Sequence, residues 1–213
     1  MLAQIVLFDG FDPLDVVAPY EVLHAGGVAA DGALTVELVS AEGSRDVPSG
    51  IPPLSLRAAG RLDPARAGLV VLPGAAGRIP DGPGQAEEDS VPAVLARALG
   101  TGLPPLLAAC VGRPELCVAT VCGGSLLLAM AGLIGGRPAV THHDGMGALA
   151  DAGARPVAAR VVDDGDLVTA GGVTSGLDLG LHLLERELGP AIALRVERLF
   201  AHERRGVVWR PAA

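Results

Sequence analysis

The chain has 213 residues, a formal net charge of −8 and a pI near 5.0, a balance without the basic face that nucleic acids and anionic membranes require. Half of the residues are hydrophobic but only 2% are aromatic, so the core has to be built from Val, Leu and Ala, as in a parallel sheet covered by helices. No apolar run is long enough to cross a bilayer, and the N-terminus lacks the blocks of a signal peptide. The three cysteines, Cys110, Cys117 and Cys122, have no C-x-x-C spacing and suit free thiols in a cytoplasmic chain better than a disulfide framework or a zinc site. All 16 basic residues are arginines. The length fits one domain, residues 1–213.

Residues 4–8 form a short apolar strand closed by Asp9 and Gly10. Asp12 and Pro13 suit the N-cap and first position of a helix that Gly26 and Gly27 are expected to stop. Residues 34–39 read as a second strand, and 46–56 as a small hairpin at the sheet edge. A third strand, 69–72, runs into the small-residue loop 73–77, and a helix follows around 86–99 with a start near Val91 and Pro92. Residues 100–114 read as a loose loop insertion. Residues 116–122 then form a buried strand that ends at Cys122, turns on Gly123 and Gly124, and enters an apolar helix. After a glycine break come a strand at 139–141, its exit His142–Asp144, and a short helix over 145–150. A hairpin pairs 157–162 with 167–170. Helices over 174–188, capped by Thr174 or Ser175, and 190–200 precede a polar tail. Strands alternating with helices give an α/β three-layer sandwich with a mainly parallel central sheet.

Ligands of such sheets collect outside the carboxyl ends of the strands. Four strand exits carry chemistry there: residues 9–15, 73–77, 122–124 and 141–144. Cys122 sits where a strand hands over to a helix, so unpartnered amides and the helix dipole favour its thiolate; the competing reading is a buried core thiol. Asp15 is either a general acid or base facing Cys122 or a first-turn carboxylate that complements the helix dipole. The amides of Gly74 and Gly123 are candidate donors to a developing negative charge. His142 and His143 invite a Cys–His dyad in which only one of the two faces the site, and Asp178 is a candidate support for the cysteine corner. No spacing of His, Cys or carboxylates points to a metal.

The ordered set of segments 7–19, 72–74, 120–125, 131–137, 141–142 and 171–178 resembles the ThiJ/PfpI superfamily, which shares the class I glutamine amidotransferase-like, flavodoxin-like fold with its nucleophile elbow. More narrowly, the chain is similar to isonitrile hydratase-like proteins and to the sensor domains of AraC-type regulators. The resemblance implies Cys122 as nucleophile, Asp15 as its acidic partner, Gly74 and Gly123 as backbone donors, a homodimer, a small-molecule substrate and no cofactor. For the hydratase branch it implies hydration of an isonitrile to an N-substituted formamide. A stand-alone ligand- or redox-sensing domain is the alternative, as is a glyoxalase, deglycase or amidase. Hydratases carry Thr after the nucleophile and protease-like members His, where this chain has Gly123. Regulators continue into a helix-turn-helix that this sequence does not include, which disfavours DNA binding. Iodoacetamide is expected to label Cys122 faster than Cys110 or Cys117 near neutral pH; equal rates by mass spectrometry contradict an activated corner.

Overall fold

A computed structural model describes residues 1–79 and 87–212. In chain order its elements are β1 (Leu2–Leu7), α1 (Pro13–Ala29), β2 (Thr35–Ser40), β3 (Arg45–Pro48), β4 (Ser55–Ala58), β5 (Gly60–Arg61), β6 (Leu69–Leu72), α2 (Val91–Leu99), α3 (Leu103–Ala108), β7 (Cys117–Val121) and α4 (Gly124–Met130). There follow β8 (Pro138–Ala139), a 3-10 turn (His143–Gly145), α5 (Met146–Asp151), β9 (Arg155–Pro156), β10 (Val161–Asp163), β11 (Leu167–Ala170), α6 (Ser175–Leu188) and α7 (Pro190–Leu199).

The central sheet has the order β10-β11-β7-β6-β1-β2-β5 and is parallel except for β10. Strands β6, β7 and β11 are buried along their whole length, as their runs of Val, Leu and Ala, interrupted by Cys117, Thr120 and Thr169, require when helices cover both faces. Helices α1, α6 and α7 pack together, and α2 packs with α3 and α4. The strand order reverses at β1, since β2 lies on one side of it and β6 on the other. This switch point, beside the carboxyl ends of β6 and β7, is where a parallel sheet opens a crevice. Among the described residues no helix is long and apolar enough to cross a membrane.

Several local expectations change. The first helix runs through Gly26 and Gly27 to Ala29, because these glycines serve contact rather than termination. A Cβ on Gly26 would stand 2.2 Å from Leu184 Cδ2 of α6, and one on Gly27 2.1 Å from the Leu34 carbonyl oxygen. The segment 100–114 is not a loose loop: Pro104 and Pro105 sit in the first turn of α3, where a proline lacks no needed donor, and Leu103 and Leu107 anchor it in the core. Helix α2 starts at Val91 under the Ser90 side chain, and residue 86 of the expected helix lies outside the described residues. The 46–56 hairpin forms as β3–β4, in a sheet of its own. The 139–141 strand shrinks to β8, which pairs with β9 apart from the central sheet. Thr174 and Ser175 make no side-chain cap at α6; Arg160 instead donates to the Thr174 hydroxyl at 3.2 Å.

The polar tail is docked rather than loose. The Trp209 N–H donates to Val161 O and the Asp163 N–H to Trp209 O, both at 2.9 Å, so the tail lies along the outer side of β10. The α1–α6 contact gives a direct test. Gly26→Ala is expected to cost about 1–3 kcal/mol of stability through overpacking against Leu184, read as a lower thermal midpoint; an unchanged midpoint contradicts the close approach.

Candidate active site

Cys122 has φ +53°, a left-handed backbone that side chains rarely adopt. The turn between β7 and α4 is held from three sides. The Cys122 N–H donates to the carbonyls of Ala170 at 3.0 Å and Gly171 at 2.9 Å, the Thr141 hydroxyl donates to Cys122 O at 2.7 Å, and the Ser125 hydroxyl donates to Val140 O at 2.7 Å. Strand β8 is too short to present His142 as the exit of a central strand, but these hydroxyls bring segment 140–142 over the corner. Gly124 is there for space, since a Cβ would stand 2.3 Å from Leu72 O.

Asp15 is completely buried although it lies in the first turn of α1. Asp12 takes the capping role, accepting the Leu14 N–H on Oδ1 at 2.9 Å, and leaves Asp15 to turn inward. The Gly74 N–H donates to Asp15 Oδ2 at 2.9 Å, while Oδ1 has no hydrogen-bond partner among the described residues. Two backbone bonds lock the loops around this carboxyl: Asp12 N–H to Gly74 O at 2.9 Å and Ala76 N–H to Gly10 O at 3.1 Å. A Cβ on Gly74 would stand 2.5 Å from Gly123 N and 2.9 Å from Asp15 Oδ2, so carboxyl, glycine and corner amide meet at one point.

The thiol and the acid set each other's ionisation. Burial pushes Asp15 well above the ordinary carboxylate range, and the nearby Asp12 charge adds to the rise; the Gly74 N–H and the Cys122 thiol oppose it. Cys122 is also pushed up, first by burial and then by the Asp15 charge, with the Gly123 N–H acting in the opposite direction. The expectation of an easily ionised thiol is therefore corrected, because loss of solvent outweighs the corner amide. A charged Asp15 opposes a thiolate beside it, whereas a neutral Asp15 removes the repulsion and offers an O–H donor. Burial favours the neutral acid. Cys110 and Cys117, sealed in the core, are pushed up by burial to about 11 and about 12.

Cys122 opens onto a cleft of about 660 Å³ whose walls include Ala75, Gly123, Leu126, Thr141, His142 and Val173. At its mouth stand Ile51 and Ile79, both more than half exposed, with Asp12, Arg78, Asp89 and Asp144. Of the two histidines, His142 lines the cleft and has a side chain 25% exposed, while that of His143 is 81% exposed. His142 Nδ1 accepts the Asp144 N–H at 3.3 Å, which fixes the ring's orientation. The ligand-type atoms of His142, His143 and Asp144 lie within 4.8 Å of one another, and the two rings already face the Asp144 carboxylate at 3.4 Å.

The structure thus brings Cys122, Asp15, Gly74, Gly123 and His142 together. Asp178 lies elsewhere: its carboxylate accepts from Arg160 Nε at 2.6 Å and the Arg205 N–H at 2.8 Å, with His202 at 3.3 Å, and so secures the C-terminal tail. It reaches the corner only through Arg160, whose carbonyl accepts the Gly171 N–H. The Gly74 N–H, expected as a donor to substrate, is spent on Asp15. The Ala75 N–H is among the cleft amides that find no acceptor in the described residues, and its N lies 3.8 Å from where a Gly123 Cβ would be. Its side chain carries no signal of this role.

Over 96% of its length the chain is similar in structure to a THiJ/PfpI family protein from Pseudomonas syringae, with TM-score 0.74, 25% identity and 76% of that chain covered. Residues 107–186, which include the whole corner, match the DJ-1/PfpI family. The chain is also 45% identical over 80 residues to a protein named isonitrile hydratase from Pseudomonas putida, a match that spans 38% of this chain and 35% of that protein. An AraC family transcriptional regulator from Pseudomonas putida shares the fold, with TM-score 0.70 and 20% identity over 93% of this chain and 98% of that chain.

A raised folded-state carboxyl makes stability fall as pH rises from the ordinary value of 3.8 toward the folded one, because the unfolded chain ionises first. Asp15→Asn removes that penalty. Its thermal midpoint is expected to rise relative to the native chain between pH 4 and pH 8; a difference that stays constant across this range contradicts the neutral acid.

Proposed function

We propose that the protein is a cysteine-dependent enzyme that hydrates an isonitrile to an N-substituted formamide. The observation that carries this reading is Cys122 itself, a residue in left-handed backbone with a wholly buried carboxyl beside it and a cleft in front. Such backbone costs about 1–3 kcal/mol and persists where surrounding contacts impose it. The local identity with the protein named isonitrile hydratase supports the choice of electrophile.

The terminal carbon of R–N≡C suits a soft sulfur nucleophile. Cys122 Sγ bonds to that carbon, and the thiol proton reaches the same carbon by way of Asp15, giving the thioimidate R–N=CH–S. Water then adds to the carbon, and its proton passes through Asp15 to the nitrogen. The C–S bond breaks, the hydroxyl proton returns through Asp15 to sulfur, and R–NH–CHO leaves. One isonitrile and one water give one formamide with no net change in oxidation state. The Ala75 N–H stands at the cleft wall as a donor for charge that develops on the substrate, while the Gly123 N–H stays with the sulfur. The proposal includes a small-molecule substrate, a homodimer in the cytoplasm and no cofactor.

The test is formamide release from an alkyl isonitrile. Cys122→Ser is expected to lose roughly 10³-fold or more in kcat/KM while its circular dichroism matches the native chain. A native chain that turns over neither isonitriles nor dicarbonyls overturns the reading and favours a ligand- or redox-sensing domain.

A further inference from the structure

Three positions of the site, Gly74, Gly123 and Gly124, are glycines, but the fold demands only two of them. Gly74 and Gly124 have no room for a side chain, as their Cβ atoms would fall 2.5 Å and 2.3 Å from backbone atoms. Gly123 differs. Its φ of −66° and ψ of −5° suit any residue, and a Cβ there would meet Gly74 Cα at 3.5 Å, Leu95 Cδ1 at 3.6 Å and Ala75 N at 3.8 Å, which is ordinary contact. The position accepts a methyl group without strain and has none. What remains is a methyl-sized slot beside the sulfur, walled by the apolar end of the buried Leu95 and continuous with the cleft that Gly123 and Ala75 line.

We propose that Gly123 is the specificity-determining residue of this site, and that its slot takes a methyl-sized branch close to the carbon that bonds to Cys122, on that carbon itself or, in an isonitrile, on the carbon attached to nitrogen. The substrate class is then electrophiles with a branched or cyclic substituent at or near the reacting centre. A linear substrate leaves the slot empty, and a branched one fills it with apolar contact against Leu95. The inference rests on Cys122 being the group that meets the substrate, but it does not require the substrate to be an isonitrile.

The test therefore reads alkylation of Cys122, followed by mass spectrometry at fixed pH, with iodoacetamide and with 2-iodopropanamide, which carries one extra methyl on the reacting carbon. The quantity measured is the ratio of the branched to the unbranched rate. In the native chain this ratio is expected to be no lower than for N-acetylcysteine, a comparison that needs no variant. In Gly123→Ala it is expected to fall by about ten-fold or more, the scale of one methylene in an apolar pocket. A native ratio below that of N-acetylcysteine, or a ratio unchanged in Gly123→Ala, overturns the proposal. A native chain that hydrates no isonitrile yet shows the ratio change sinks the hydratase reading and leaves the slot standing.

Discussion

The arrangement depends on one hydrogen bond, from the Gly74 N–H to the buried Asp15 carboxyl. An ionisable group taken wholly out of water needs a partner or a proton, and this amide satisfies one oxygen while the other has no hydrogen-bond partner among the described residues. The bond requires the loop after β6 to lie within van der Waals reach of the corner amide, which only a glycine at position 74 permits. The loop after β1 is fixed to the same loop by two backbone bonds, so three strand ends are tied at a single point. Loss of that contact would free the acid, the loop and the thiol's surroundings together.

The sulfur's reactivity follows from this geometry rather than from a lowered ionisation range. A helix N-terminus lowers a thiol when water also reaches it, but here burial dominates and both groups of the pair are raised. Proton transfer within the pair then matters more than a standing thiolate. This suits a reaction in which a proton must be delivered to the carbon that sulfur attacks, since the same carboxyl can supply and recover it.

Much of this was legible in the sequence. The β7–Cys122–α4 corner and the strand–turn–helix around Asp12 declare themselves through apolar runs that end in Asp-Pro and Gly-Gly, local signals with local causes. The position of the cleft followed from the carboxyl ends of the strands. What stayed hidden depended on long-range packing. Gly26 and Gly27 look like stop signals because their role lies on Leu184 and Leu34, distant in the chain. Residues 100–114 look like a loop because two prolines mask a helix whose anchors are Leu103 and Leu107. Asp178 faces the tail, not the corner, and no spacing in α6 distinguishes the two; the Ala75 amide is backbone and leaves no mark in a side-chain pattern.

The docked tail has a consequence for the molecule in a crowded solution. An open sheet ends in strands whose free amides and carbonyls invite pairing with another chain, a hazard for a sequence that is half hydrophobic and without lysine. At one edge β5 is only two residues long, and at the other the Trp209 segment occupies the outer groups of β10. The border at β10 is thereby covered and the one at β5 offers little length for strand addition, so the segment around Trp209 acts as a selvedge along the sheet.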